Sequence, residues 1–280
     1  MSSTTATSPT AGRVAFIGGG NMASAILGGL ISAGQPAEGL IVVEPFAEQA
    51  EHLRSRYGVQ VLAEAGPALA TAYSVLWAVK PQLFRQAAAP CAAFVGQALQ
   101  LSVMAGIRTD AIRQATGSAR VVRAMPNTPA LIGQGMTGLF ACEGVRPDER
   151  LAVEALLAPT GALLWVAREV DLDAVTALSG SGPAYVFYVL EAMMQAGVEL
   201  GLEAAQARRL ALGTFAGAAA LASQSDEAPE VLRQRVTSKG GTTHAAISSL
   251  EDSGVRAAFV RALHAAAQRA QALGDEFGGA

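Results

Sequence analysis

Up to about residue 168, the sequence alternates short apolar runs with segments of helical character, and this alternation restricts the fold more than any other feature. The runs are rich in β-branched residues and leucine, and they cover 14–17, 40–43, 74–79, 99–103 and 120–125. Continuous apolar runs of this length are typical of strands buried on both faces of a sheet. Helix-compatible segments separate them at 21–33, 47–57, 82–94 and 109–115. The pattern predicts an α/β fold with a doubly wound parallel sheet.

Two further short strands are predicted at 136–141 and 163–166, with a helix over 147–157 between them. After Arg168 the pattern becomes helical throughout, and no convincing strand follows. Helix starts are predicted at Pro183, Glu203, Pro229, Thr243 and Val255. We therefore expect three regions: a disordered lead-in over 1–12, an α/β domain over 13–168, and an all-α domain over 169–280.

The helices of the second domain are rich in alanine and carry small residues around much of their circumference. Helices that are apolar on more than one face must be buried on more than one face. A helical domain of this size has a limited interior of its own, so the sequence favours a homodimer that shares helices. The alternative is a monomeric bundle with tight alanine packing.

Composition excludes several classes of protein. Hydrophobic residues make up 51% of the chain, but no run reaches the ~18 apolar residues that a membrane-spanning helix needs. A formal charge of −3 argues against a nucleic-acid partner, which requires a basic surface. Cys91 and Cys142 form neither a metal-binding spacing nor a disulfide framework, and residues 1–12 lack the features of a signal peptide. We expect a cytoplasmic protein without a metal.

A glycine-rich turn follows the first apolar run directly, in the sequence IGGGNMA. Its pattern is GxGxxA, the dinucleotide fingerprint, in which Gly18 allows the tight turn and Gly20 lets the backbone approach a pyrophosphate. Ala23 lets the following helix lie close to the sheet. The segment predicted to bind the cofactor comprises Ile17, Gly18, Gly19, Gly20, Asn21, Met22 and Ala23. The alternative is a glycine turn without a ligand.

Glu44 stands at the end of the second apolar run. An acidic residue there accepts hydrogen bonds from the adenosine ribose and repels a 2′-phosphate, so Glu44 alone favours NAD over NADP. The alternative is a solvated carboxylate at a strand end.

Three more segments follow predicted strands and should border the same crevice, because ligands bind at the carboxyl ends of parallel strands. The cofactor-binding candidates in them are Ala78, Val79, Lys80, Pro81, Met104, Ala105, Gly106 and Asn127. Lys80 is one of only two lysines in the chain, the other being Lys239. An ordinary surface lysine is the alternative for Lys80.

Two polar segments interrupt the alanine-rich helices. One contains Ser181 and Gly182 in the sequence SGSGPA, and the other is TSKGGTT over 237–243. Both lead into predicted helices, so both are capping signals that also offer free amides to an anion. Either segment alone could be a simple helix cap, but two of them in a domain expected to face the nicotinamide crevice favour substrate binding. His52 and His264 fall within amphipathic helices, where a surface or core role is expected, and His244 has no carboxylate spaced to orient it as a general base.

Taken in order, these residues resemble the pyrroline-5-carboxylate reductases. The resemblance runs from residue 13 to about 273 and rests on FIGGGNMASAILGGL, WAVKPQ, MAGI, RAMPNTPALIGQGMT, DAVTALSGSGPAYVF and TSKGGTTHAAISSLE. It implies a dinucleotide-binding Rossmann domain followed by a helical dimerisation and substrate domain, with dimers often assembled into rings. It also implies hydride transfer from NADPH or NADH to the C=N carbon of 1-pyrroline-5-carboxylate, a small-molecule substrate, to give L-proline.

The resemblance further assigns residues to roles. Thr176 corresponds to the hydroxyl that contacts the ring nitrogen, and Glu169 to a position near the substrate. The candidates for binding the substrate are Glu169, Ser181, Gly182, Ser238, Gly240, Gly241, Thr242 and Thr243. Two positions depart from the family pattern: Glu44 replaces a small polar residue, and Lys239 replaces a proline. Competing interpretations are a related imine or hydroxy-acid reductase and a dinucleotide-binding protein without turnover.

Overall fold

The computed structural model describes residues 12–278, and the predicted lead-in over 1–12 lies outside them except for Gly12. The described chain packs as two compact units. The first comprises residues 12–181 together with 266–278, and the second comprises residues 182–265. Residues 169–181 thus pack with the α/β part of the chain, and the predicted domain boundary after Arg168 stays a prediction.

The first unit holds all eight strands that the described residues form. They are β1 (Arg13–Ile17), β2 (Leu40–Val43), β3 (Gln60–Leu62), β4 (Ala72–Trp77), β5 (Leu99–Ser102), β6 (Val121–Met125), β7 (Gly135–Ala141) and β8 (Gly161–Trp165). Its helices are α1 (Asn21–Ser32), α2 (Ala47–Tyr57), α3 (Phe84–Val95), α4 (Thr109–Thr116), α5 (Pro147–Leu157) and α6 (Asp171–Val175). The second unit contains α7 (Gly182–Glu199), α8 (Ala204–Ser223), α9 (Pro229–Arg235), α10 (Thr242–Asp252) and the start of α11 (Val255–Gly278).

The strands form one sheet in the order β3-β2-β1-β4-β5-β6-β7-β8. Strands β1 to β6 run parallel, which confirms the predicted doubly wound α/β class. Strand β7 runs antiparallel to β6, since only residues 126–134 connect the two and a parallel neighbour needs a crossover of a dozen or more residues. Strand β3 was not predicted, because its three residues begin with an exposed glutamine and form no apolar run.

Hydrophobic clusters lie on both faces of the sheet. Val14 and Phe16 of β1 point into the cluster that α1, α2 and α5 cover. Ala15 and Ile17 point into the opposite cluster, which α3 and α4 cover. Because both faces are buried, the strands carry continuous apolar runs, as the sequence predicted.

One fully buried carboxylate of the first unit is paired with an arginine. Glu149, fully buried on α5, accepts hydrogen bonds from the Arg120 guanidinium and from the Arg146 backbone amide, 2.9 Å away. A buried carboxylate needs such partners, because removing it from water is costly. This pair lies away from the glycine-rich turn and holds α5 to the loop before β6.

The second unit is helical, and its helices begin within one residue of the predicted starts. Helices α7 and α8 pack as a pair, in which Gly197 lets α8 approach closely: a Cβ at that position would lie 2.8 Å from the Ala207 side chain. Large apolar side chains on α7 nevertheless stay exposed, among them Phe187, Tyr188 and Val198. Within residues 12–278, none of the helices combines the length and apolar character needed to cross a membrane.

Candidate functional site

The glycine-rich turn leaves β1 in a conformation that only glycine tolerates easily. Gly18 has φ of +92°, and its amide donates to the Val43 carbonyl oxygen over 2.9 Å. A Cβ at Gly18 would lie 2.9 Å from the Ala78 carbonyl oxygen. The turn is thereby wedged between the ends of β2 and β4, and a side chain at position 18 would force these strands apart.

Helix α1 starts at this turn with its first amides open to a ligand. Gly20 is the N-cap residue, and no side chain caps the helix. Space within 4 Å of a Cβ at Gly20 is open, while Ala23 one turn later is fully buried against the sheet. Uncapped amides at a helix N-terminus attract anions, so Gly20, Asn21 and Met22 fit the pyrophosphate of a dinucleotide.

Glu44 fastens the turn to the loop after β2. One carboxylate oxygen accepts the Gly19 amide at 2.9 Å, and the other accepts the Phe46 amide at 3.0 Å. The residue is only 6% exposed. From α2, the Gln49 side-chain amide donates to the Gly19 carbonyl oxygen over 2.5 Å. The sequence predicts Glu44 as a ribose ligand, and this role stays a prediction. Its contacts with the backbone and the part of Gln49 were missed, because glutamine in a helix carries no positional signal.

A cleft of about 1080 Å³ opens in front of this turn. A volume of that order suits a cofactor or a small-molecule ligand. The cleft brings together part of the predicted cofactor segment, namely Ile17, Gly18, Gly19, Gly20, Glu44, Ala78, Val79 and Lys80. Its wall also includes residues that were not predicted to bind a cofactor, namely Glu48, Gln49, His52, Glu64 and Cys91. The charged lining is thus mostly acidic, with Lys80 in the loop that follows β4.

The remaining cofactor candidates lie beside the cleft or at other strand ends. Pro81 opens the short 3-10 turn that follows Lys80. After β5, the buried Met104 donates its amide to the Ser102 hydroxyl over 3.2 Å. Ala105 leads into Gly106, whose φ is +75° and against which Leu273 of α11 packs. These positions follow the carboxyl end of β5, and their contact with a cofactor stays a prediction.

Asn127, at the end of β6, uses its side chain within the protein. Its Oδ1 atom accepts the Met136 amide at 2.9 Å, and its Nδ2 atom donates to the Ser179 carbonyl oxygen over 3.2 Å. The amide therefore connects β6 and β7 to the segment around Ser179. A cofactor role for Asn127 stays a prediction.

Thr176 directly follows α6 and is the first residue of a wide π-type turn, Thr176–Gly180. Its hydroxyl donates to the Leu172 carbonyl oxygen over 2.7 Å, and its own carbonyl accepts the Ser181 amide at 2.8 Å. The hydroxyl proton is used in the bond to Leu172, so the lone pairs of the Thr176 oxygen are free to accept a hydrogen bond from another group. π-type turns of this sort occur frequently at functional sites.

Glu169 lies in a cluster that the sequence did not reveal. Its carboxylate accepts the Thr109 amide at 2.8 Å, the Thr109 hydroxyl at 2.7 Å and the Arg123 guanidinium at 2.8 Å. Burial lowers the pKa of the Arg123 guanidinium below its ordinary value, and the charge of Glu169 opposes that shift. Both oxygens of Glu169 are engaged, and its predicted contact with the substrate stays a prediction.

The second unit carries the other predicted substrate segment as a turn before α10. The Gly241 amide donates to the Ser238 carbonyl oxygen over 3.0 Å, and Gly240 adopts φ of +77°. Gly241 is the N-cap of α10, so Thr242 and Thr243 occupy its first turn. Ser181 ends the first unit, and Gly182 begins α7 in the second. The turn presents hydroxyls and amides suited to a carboxylate.

Burial raises the pKa of the Cys91 thiol to about 11, so the thiol stays protonated near neutral pH. The described residues contain no group of three or more histidine, cysteine, aspartate or glutamate side chains that could hold a metal ion.

Comparisons with family models match both parts of the chain. Residues 169–273 match the model described as pyrroline-5-carboxylate reductase dimerisation. Residues 13–106 match the model described as NADP oxidoreductase, coenzyme F420-dependent.

Relatives of the whole chain carry the same name. The pyrroline-5-carboxylate reductase of Pseudomonas aeruginosa is 43% identical, over 95% of this chain and 98% of that protein. The reductase of Corynebacterium melassecola is 40% identical, over 93% of this chain and 98% of that protein.

Solved structures agree with these matches. The structure of a pyrroline-5-carboxylate reductase from Coxiella burnetii superposes with a TM-score of 0.87 at 37% identity, covering 94% of this chain and 98% of that one. The Plasmodium falciparum pyrroline carboxylate reductase with NADP bound gives 0.85 at 26% identity, covering 95% and 99%. The chain described above therefore belongs to the pyrroline-5-carboxylate reductase family.

Proposed function

We propose that the protein reduces 1-pyrroline-5-carboxylate to L-proline, the last step of proline biosynthesis, with NADPH or NADH as the hydride donor. The observation that carries the proposal is the 43% identity to a reductase of that name over nearly its whole length. The glycine-rich turn and the uncapped α1 amides supply a site that fits the cofactor. The chain also keeps the hydroxyl-rich segments around Thr176 and 238–243.

The reaction needs little acid or base catalysis from the protein. A bound reduced nicotinamide supplies the hydride. The protonated cyclic imine is already electrophilic, so the chain has to hold it in place and exclude water. Thr176 offers an oxygen lone pair to the ring N–H. In the second unit, the amides and hydroxyls of 238–243 are of the kind that binds a carboxylate. The missing general base is therefore compatible with turnover.

The direct test is the absorbance of the reduced nicotinamide in the presence of 1-pyrroline-5-carboxylate. We expect oxidation of NADH or NADPH that depends on the imine and yields proline. A related imine or hydroxy-acid reductase would instead turn over another cyclic imine or a hydroxy acid, and these are the control substrates. Tight cofactor binding without turnover of any of them would favour a non-catalytic binding protein and contradict the proposal.

We also propose that the protein is a homodimer formed by the helical unit, with a larger ring of dimers as a further step, and that it acts in the cytoplasm. Exposed apolar side chains on α7 and α8, such as Phe187, Tyr188 and Leu210, support a shared interface. The free thiols of Cys91 and Cys142 agree with a reducing compartment. Light scattering after size exclusion should give twice the chain mass of 28.5 kDa or an even multiple of it. The mass of a single chain at micromolar concentration would exclude the dimer.

The acidic lining of the cleft supports a preference for NADH over NADPH. Glu44, Glu48 and Glu64 face the cleft, and a 2′-phosphate placed near Glu44 would be repelled. Replacing Glu44 by glutamine removes the charge and keeps one acceptor oxygen for the backbone amides. We expect Glu44→Gln to raise kcat/KM for NADPH relative to NADH about tenfold, equivalent to about 1.4 kcal/mol. Steady-state kinetics with both cofactors measure this ratio.

The matched control for Glu44→Gln is Glu48→Gln, which removes a more peripheral charge from the same cleft. It should change the cofactor ratio by less than about twofold, since exposed charges are screened by solvent and salt. Equal ratios for the Glu44 variant and the unmodified protein would show that Glu44 does not face the 2′ position.

Thr176 is the side chain to which we assign contact with the reacting ring. Thr176→Ala should lower kcat about tenfold or more and leave the KM for the cofactor nearly unchanged, because one transition-state hydrogen bond is lost. Thr176→Ser keeps the hydroxyl and should retain most of the activity. Kinetics of the alanine variant that match the unmodified protein would refute the role.

A further inference from the structure

Four charged side chains form a partly buried cluster in the first unit, which we call the arginine clasp: Arg108, Arg123, Glu169 and Asp173. The Arg123 guanidinium donates to Glu169, and the Arg108 guanidinium donates to Asp173, each over 2.8 Å. Arg123 belongs to β6 and Arg108 directly precedes α4, whereas both carboxylates belong to the segment that contains α6. The clasp therefore ties α6 to the sheet and to the start of α4.

The clasp is buried more deeply than an ordinary surface ion pair. Arg123 is only 4% exposed, and the other three side chains lie between 15% and 21%. Loss of one carboxylate would leave a guanidinium buried without its counter-charge, which is strongly unfavourable. The two carboxylates are thus required to keep the segment in its observed place.

The clasp also leaves hydrogen-bonding capacity unused. Over residues 12–278, the buried side-chain nitrogen and oxygen atoms without a partner are Arg108 Nη1 and Arg123 Nε, and both belong to the clasp. Most buried donors in native proteins have a partner, so these two call for an explanation such as strain, a role in catalysis or a bound water. Buried donors without a partner are expected at places where function, and not stability alone, determines how the side chains are arranged.

Helix α6 depends on such contacts for its position. It is five residues long, far shorter than a helix that is stable by itself in water. Opposite the clasp, Val175 packs against β7, where a Cβ at Gly138 would lie 2.6 Å from the Val175 side chain. Leu172 is fully enclosed, and its carbonyl accepts the Thr176 hydroxyl. A shift of α6 would therefore move the Thr176 oxygen directly.

We propose that Glu169 and Asp173, held by Arg123 and Arg108, are positioning residues that set the location of the Thr176 hydroxyl. Glu169 then acts through Thr176, since its two oxygens already accept three of the about four hydrogen bonds that a carboxylate can take. This inference rests on the proposed function and on the role given there to Thr176.

A double-mutant cycle in the full-length protein tests the inference. Glu169→Gln removes the charge with little change of shape and should lower kcat about tenfold, with the KM for the cofactor nearly unchanged. When Thr176 is already alanine, the same substitution should lower kcat less than about twofold further, because residues that act through one group are not additive. Asp173→Asn should behave in the same way.

The control is Glu149→Gln, which breaks the buried pair with Arg120 elsewhere in the first unit. It should lower the midpoint of urea unfolding, yet leave the kcat of the folded protein within about twofold and combine multiplicatively with Thr176→Ala. If Glu169→Gln does not fold, Thr109→Val removes only one hydrogen bond to Glu169 and keeps the shape. It should lower kcat about threefold, and only while Thr176 is present.

The outcomes separate the two proposals. The positioning role is overturned if the losses of kcat caused by Glu169→Gln and Thr176→Ala multiply in the double variant. The same holds for Thr109→Val and Thr176→Ala if Glu169→Gln does not fold. The reductase function stands in either case. An unchanged kcat for the clasp variants overturns it as well, as does an unchanged kcat for Thr176→Ala. Failure of the unmodified protein to reduce the imine overturns the proposed function itself.

Discussion

The site depends on the register of three parallel strands. Ile17 of β1 pairs with Val43 of β2 on one side and with Trp77 of β4 on the other, so the three strands end at the same level. The chain then turns at Gly18, whose amide reaches the Val43 carbonyl, while the Ala78 amide reaches the Ile17 carbonyl. No room is left for a Cβ at Gly18. Strand alignment thus fixes the turn, and the turn directs the first amides of α1 at the cleft.

Glu44 has two effects, one on the cofactor and one on the glycine-rich turn, and these effects favour different residues at position 44. As a cleft charge it disfavours a 2′-phosphate, whereas as an acceptor it holds the Gly19 and Phe46 amides. A small polar residue would relieve the first effect and lose most of the second. Selection for another cofactor at this position would therefore also loosen the glycine-rich turn, unless Gln49 or a neighbouring group compensated.

The sequence predicted the α/β class, seven of the eight strands and the helix starts of the second unit, because each depends on local patterns of apolar residues, glycine and proline. It also placed Gly18, Glu44 and Lys80 at one cleft, since strand ends of a parallel sheet meet.

The arginine clasp was missed. Arg123 and Glu169 are 46 positions apart, and neither has a neighbour that predicts a partner. Packing of the α11 end against Gly106 was missed for the same reason: such contacts have no local signature.

The π-type turn after α6 connects Thr176, its first residue, with Asn127 at the end of β6. A wide turn gives up regular helical hydrogen bonds and persists only where its surroundings hold it. Gly180 lets the Met125 side chain approach, since a Cβ there would lie 2.7 Å from the Met125 methyl group, and Asn127 binds Ser179. The end of β6 therefore stabilises the turn from one side, while α6 holds Thr176 from the other. A substitution of Asn127 should for this reason disturb Thr176 before it disturbs the cofactor cleft, which is built on β1, β2 and β4.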